Sequence, residues 1–193
     1  MIRRFAGVLA VSLAFVVAAP VLAAELAPGE KAPAVKGLVG VDGKECNLGD
    51  SKAKVTVVCF TCNICPVSVA YEDRFIEFTK KYKDKGVEFV AINANKKTED
   101  LAAMKTRAED KGFNFPYVFD ESGKVATEYG ARVTPHIYVL DGKRTIQYVG
   151  SFDDKQKEPS KHFVADAVDA VLAGKTVETA STKAFGCGIQ NKK

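Results

Sequence analysis

Apolar residues fall along this chain in two alternating rhythms. The run 54–60, KVTVVCF, is rich in β-branched residues and shows no polar alternation, the pattern of a strand buried on both faces of a sheet. Just beyond it, Val67, Tyr71, Phe75, Phe78 and Tyr82 recur at steps of four, four, three and four, which places them on one stripe of a helix that Gly86 closes. VEFVAI at 87–92 repeats the buried-strand pattern. Thr98-Glu99-Asp100 then opens a helix carrying Leu101, Met104 and Ala108, which Gly112 ends.

The second half changes rhythm. Residues 115–119 suit a short strand and 120–129 a short helix stopped by Gly130, while 136–140 and 145–149 flank Asp141-Gly142 as an antiparallel hairpin. A last amphipathic helix is expected over 159–173, through Phe163, Val164, Ala167, Val168, Val171 and Leu172, with Gly174 at its end. Ahead of the first long strand, 35–48 reads as a small hairpin turning at VDGK. A strand–helix–strand half followed by a hairpin and a closing helix predicts an α/β fold: a mixed central sheet with helices on both faces. One domain over 24–174 accounts for this pattern, and 175–193 is a tail without periodicity.

The length of 193 residues and 47% hydrophobic content support one domain with a real core. The first 23 residues read as a signal peptide: Arg3 and Arg4 precede an apolar run that ends in small residues, with Val21-x-Ala23 fitting a cleavage site. An uncleaved anchor is the alternative, since 5–24 approaches the roughly 20 residues of a spanning helix. Export, most simply to a periplasm with no stable membrane insertion after cleavage, is the expectation. Loss of Arg3 and Arg4 takes the 28 basic residues to 26 against 24 acidic, a net charge of +2 in place of +4. So small and scattered a charge argues against nucleic acid as a partner.

Export changes the reading of the five cysteines, Cys46, Cys59, Cys62, Cys65 and Cys187, because disulfides persist outside the cytoplasm. An odd count leaves at least one thiol free or transiently paired. Three of them fall at even spacing in VVCFTCNICP, a pattern open to an iron–sulfur cluster, another metal or a redox dithiol with a neighbour. The cluster fails on two counts: Cys59 belongs to the strand as a small core residue, and the x-x-x-Cys-Pro continuation is missing. Cys62 is expected at or just before the helix N-terminus, where unpaired N–H groups favour a thiolate. Cys65, about one turn on, would then resolve a mixed disulfide, and Pro66 fits the first helical turns, where its missing N–H breaks no bond.

Taken together, Cys62-Asn63-Ile64-Cys65 at a strand-to-helix junction and Val133-Thr134-Pro135 before the late hairpin resemble the thioredoxin superfamily over 35–173. TCNICPVSVAYEDRF, KGFNFPYVFDE, VTPHIYV and the terminal KAFGC are similar to its peroxiredoxin-like, redoxin branch of exported bacterial proteins. The resemblance implies a thiol–disulfide oxidoreductase without cofactor or metal, with Cys62 attacking and Cys65 resolving. It also implies a cis Pro135, with the Thr134 backbone pairing an extended substrate. Partners would be a cysteine-containing protein or a small thiol or disulfide, and a separate electron donor. The chain departs from thioredoxin itself in lacking Trp, in replacing Gly-Pro by Asn63-Ile64, and in placing Thr56 where a buried acid often lies.

Two rival chemistries share the fold. A peroxiredoxin attacks with the cysteine of Pro-x-x-x-Thr-x-x-Cys; aligning Cys65 there puts Cys62 at the threonine and Val58 at the proline, so both positions fail. A copper carrier would use two cysteines and a histidine, for which His136 and His162 are available. Cys187, in FGCGIQ, is a candidate third redox thiol, a disulfide partner for Cys46, or a free cysteine on a docked tail.

Overall fold

The 54–60 run forms the middle of the molecule. Residues 24–190 are described by a computed structural model; the expected leader, 1–23, lies outside the described residues. In chain order the elements are β1 (Leu38–Gly40), β2 (Glu45–Cys46), β3 (Val55–Phe60), α1 (Pro66–Tyr82), β4 (Val87–Asn93), α2 (Leu101–Lys111) and β5 (Tyr117–Phe119). There follow α3 (Lys124–Tyr129), β6 (Val133–Thr134), β7 (His136–Asp141), β8 (Ile146–Gly150), α4 (Phe163–Leu172) and β9 (Cys187–Gly188). A seven-stranded sheet runs β2-β1-β5-β4-β3-β7-β8. β3 pairs parallel with β4 and antiparallel with β7, so every residue of β3 is buried, as a strand without polar alternation requires.

Strand periodicity divides that burial between two cores. Val55, Val57 and Cys59 face Tyr71, Phe75 and Phe78 of α1, Met104 of α2 and Val164, Ala167 and Val168 of α4. Val58 and Phe60 face the opposite way, onto Val125, Ala126 and Tyr129 of α3 and the leading segment through Ala32 and Val35. Helices therefore cover both faces, as the α/β pattern predicts. Phe75 lies 5.1 Å from Phe152 and 5.4 Å from Phe89, centroid to centroid, so the α1 stripe is anchored by aromatic contacts directly below the cysteines. Among the described residues no helix is long and apolar enough to cross a membrane.

Helix boundaries move where caps compete with periodicity. α2 starts at Leu101 because the Asp100 carboxylate accepts the Ala103 N–H at 2.8 Å, a side-chain N-cap two residues beyond Thr98. α4 starts at Phe163, not at Pro159: Asp154 instead ties Ser160 through its N–H at 2.9 Å and its hydroxyl at 2.6 Å, holding that stretch as a loop. The largest difference concerns the tail. Residues 180–190 run along the domain, the Val149 N–H donating to the Ala180 carbonyl at 3.1 Å and the Thr182 N–H returning to the Val149 carbonyl at 3.0 Å. β9 then pairs antiparallel with β6.

Candidate active site

The end of β3 delivers the chain to the C-terminal edge of the sheet, where open α/β folds gather their chemistry. The Thr61 N–H donates to the Ile92 carbonyl at 2.9 Å, prolonging the sheet bonding by one residue before the chain turns. Pro66 occupies the first helical position of α1, so Cys65 is the N-cap and Cys62 stands three residues ahead of it. Cys62, expected at or just before the helix N-terminus, thus stands in the turn that leads into the helix, and Cys65 takes the cap. The physical reason is proline: the first turn accepts its missing N–H, and the residue before it is pushed out of helical geometry.

Both thiols converge on Thr134. Cys62 Sγ lies 3.3 Å from Thr134 Oγ1, and Cys65 Sγ lies 3.1 Å from the Thr134 carbonyl. The Thr134–Pro135 peptide is cis. Both cysteines are reduced and buried, at 2% and 1% exposure, so chemistry there needs a partner that reaches into the site. Burial raises the Cys62 thiol above its ordinary range, against hydrogen bonds from Thr134 and the Cys65 N–H, with the Glu99 charge adding to the rise. Burial also pushes Cys65 up, but the Cys187 thiol, the N–H groups of Ser68 and Cys187 and the Thr134 hydroxyl outweigh it, so Cys65 titrates lower than an ordinary cysteine. The resting thiolate is thus favoured at the N-cap cysteine.

A polar cluster missing from the sequence reading fixes the turn between the cysteines. Glu99, 7% exposed, accepts the Asn63 N–H on both carboxylate oxygens, at 3.1 and 3.0 Å, and takes a further bond from Asn93 Nδ2 at 2.8 Å. The Tyr117 hydroxyl donates to Asn63 Oδ1 at 2.9 Å and is met by Asn93 Nδ2 at 3.0 Å. Asn63 is clamped by backbone and side chain, which preorganises the loop without closing it. Glu99 supplies the buried acid that Thr56 does not. At a helix start it reads as a complement to the dipole, and only the fold turns it toward Cys62.

The remaining candidates separate. Cys59 packs in the core, and burial holds its thiol far above the ordinary range. Cys46, on β2, is pushed up to about 11 by burial with Glu88 and Asp42 nearby. Cys187 is not brought to Cys46: it lies on β9 with Thr134 as its register partner, and the influence of Cys65, with burial, pushes its thiol up to about 11. His162 caps α4 with Nδ1 3.1 Å from Asp153 Oδ1. Among the described residues no group of three or more His, Cys, Asp or Glu side chains is gathered as metal ligands.

His136, 1% exposed, packs 4.9 Å from the Tyr138 ring, and its nearest carboxylate is Glu25 at 3.7 Å. Burial, helped by Arg132, lowers its pKa to about 4, so the ring is neutral in the folded chain despite Glu25. An unfolded histidine takes up its proton near pH ~6.5. Between these values only the unfolded chain is protonated, so the stability conferred by the neutral ring is complete above about pH 6.5. It is lost as the pH falls toward about 4, amounting to roughly 3 kcal/mol. Urea unfolding of the wild type and of His136→Phe across this range should show their stability difference changing with that sign; a constant difference would contradict the assignment.

The chain matches the AhpC/TSA family over residues 28–149. It is 31% identical over 123 residues to the thiol-disulfide oxidoreductase ResA of Bacillus thuringiensis strain Al Hakam, covering 61% of this chain and 68% of that protein. A crystal structure of an uncharacterized conserved protein from Geobacillus kaustophilus superposes with a TM-score of 0.79 at 34% identity, over 86% of this chain and 92% of that one. A hypothetical protein from Sinorhizobium meliloti 1021 superposes with a TM-score of 0.80 at 31% identity, over 87% and 96%.

Proposed function

Because this chain belongs to the AhpC/TSA family, we propose that its thiol–disulfide oxidoreductase activity is carried by Cys62 and Cys65 and exercised outside the cytoplasm. The observation that carries the reading is the convergence of two reduced thiols on one residue, Thr134, at a sheet edge. A substrate disulfide is attacked by the thiolate of the pair, a mixed disulfide forms, and the second thiol displaces the reduced substrate to leave a Cys62–Cys65 bond. The Thr134 hydroxyl and carbonyl hold the two sulfurs together through the exchange. Asn63, clamped by Glu99 and Tyr117, keeps the turn in register. Ile64, 56% exposed between the cysteines, offers an apolar contact to a protein substrate. Export through the 1–23 leader would put the pair where disulfides occur.

Equilibrating the Cys187→Ser chain against mixtures of reduced and oxidised dithiothreitol should give one dithiol–disulfide transition that vanishes when Cys62→Ser or Cys65→Ser is added. Persistence of the transition in either variant would overturn the assignment, as would peroxide turnover or tight copper binding in place of exchange. Fusing the whole chain to a reporter enzyme active only where disulfides form tests the location.

A further inference from the structure

The tail takes up the backbone edge beside the dithiol. Thr134 is the register partner of Cys187, and Val133 of Gly188, so β9 lies along β6 as an extended segment one residue before Pro135. It is held on both sides of Cys187. Upstream, the Ser151 N–H donates to Thr182 Oγ1 at 3.0 Å, and the Phe185 ring sits 6.4 Å from that of Tyr71. Downstream, the Ile189 N–H donates to the Arg132 carbonyl at 2.9 Å, and the Gln190 N–H to Asn95 Oδ1 at 2.7 Å. Asn95 in turn donates its N–H to Asn93 of the Glu99 cluster at 2.9 Å. Gly186 permits the approach: its φ is +149°, and a β-carbon there would overlap the Thr134 carbonyl. The result is a cysteine presented beside the dithiol in the manner of a bound peptide: its register partner Thr134 is the residue whose carbonyl accepts the Cys65 thiol at 3.1 Å and whose hydroxyl lies 3.5 Å from the Cys187 carbonyl.

We propose that Cys187 is a third redox thiol that exchanges disulfide with Cys65, so that the tail is the internal substrate of the Cys62–Cys65 pair. This rests on the dithiol reading above. Once a substrate disulfide has been reduced, leaving Cys62–Cys65 oxidised, the Cys187 thiolate attacks Cys65 Sγ. The Cys65–Cys187 bond forms as the Cys62–Cys65 bond breaks, and Cys62 leaves with the electron pair and gains one proton for the one Cys187 gave up. No electrons enter or leave, so no further oxidant or reductant is needed. The step moves the disulfide from two nearly inaccessible sulfurs to one on a half-buried strand, where a donor thiol can reach it. Attack at Cys187 then expels Cys65 as a thiolate beside the Ser68 N–H and the Thr134 hydroxyl.

Cys62→Ser removes the competing bond and isolates the step. Treated with hydroxyethyl disulfide, quenched with acid and digested with trypsin, this variant should yield peptide 55–74 linked to peptide 184–192 through Cys65 and Cys187, with no probe retained. Adding Cys187→Ser should leave the probe on Cys65 and slow its release at least about tenfold, because the tethered thiol's effective concentration is lost. Gly186→Val, combined with Cys62→Ser, should behave like the double cysteine variant with Cys187 still present, provided circular dichroism shows a native fold. Equal probe release from Cys62→Ser with and without Cys187 would overturn the inference while leaving the dithiol reading intact. Failure of the single variant Cys187→Ser, with Cys62 and Cys65 intact, to form Cys62–Cys65 under the same treatment would overturn both.

Discussion

Replacing Cys65 by serine, or Cys62 and Cys187 together, is expected to lower steady-state disulfide reduction at least about a hundredfold, whereas Cys62→Ser alone keeps the Cys65–Cys187 route that Cys65→Ser lacks. The two single variants should differ in how fast they capture. Cys62→Ser keeps Cys65, whose pKa is lowered by the Cys187 thiol and by the N–H groups of Ser68 and Cys187. Cys65→Ser keeps Cys62, whose thiol is raised by burial and by the charge of Glu99. At neutral pH the first variant should therefore form a mixed disulfide with a small probe faster than the second, and raising the pH should narrow the gap as Cys62 ionises. Stopped-flow measurement of probe capture across pH reads both effects. Faster capture by Cys65→Ser would return the attacking role to Cys62.

Arg107→Ala is expected to destabilise the fold by roughly 3 kcal/mol, the cost of stranding a buried carboxylate. Glu72, 3% exposed on α1, is gripped by Arg107 of α2 through Nε at 2.9 Å and Nη2 at 2.7 Å, while Lys111 stands off at 3.9 Å. The pair joins the helix that carries Cys65 at its cap to the helix that begins just beyond Glu99. Arg107→Lys should recover only part of the loss, because an ammonium cannot reproduce the two-pronged contact. Combining Arg107→Met with Glu72→Gln should recover more, since no charge is then left buried alone. Denaturant midpoints with an unchanged slope would read these differences. A loss below about 1 kcal/mol for Arg107→Ala would place the pair in the class of solvent-screened ion pairs.

Elements that carry their own pattern were readable before the fold was known. The unbroken apolar run of β3 and the stripe through Tyr71, Phe75, Phe78 and Tyr82 are properties of side chains spaced along one segment, and each became what its period implied. Pro66 already marked where α1 begins, and weighting it as a first-position residue would have put Cys65 at the cap. Glu72 was less readable, because a carboxylate beside an apolar stripe looks solvated until another helix brings it an arginine. Glu99, Asn93 and Tyr117 come from three separate segments, and nothing in any one of them specifies the others. The docking of the tail was the least legible feature. Its hold depends on backbone N–H and carbonyl groups that every residue possesses, so no periodicity records it.

Cys59 gives the even spacing of VVCFTCNICP a different meaning. Its sulfur lies at 0% exposure in the middle of the sheet, between strands that pair with β3 on either side. A labelling reagent or oxidant can find it only after the sheet has come apart, whereas local opening is enough to bare the dithiol. Damage at this one sulfur therefore marks molecules that have already unfolded. The chain carries a tamper seal in its central strand, three residues from the first cysteine of the pair that exchanges disulfides by design.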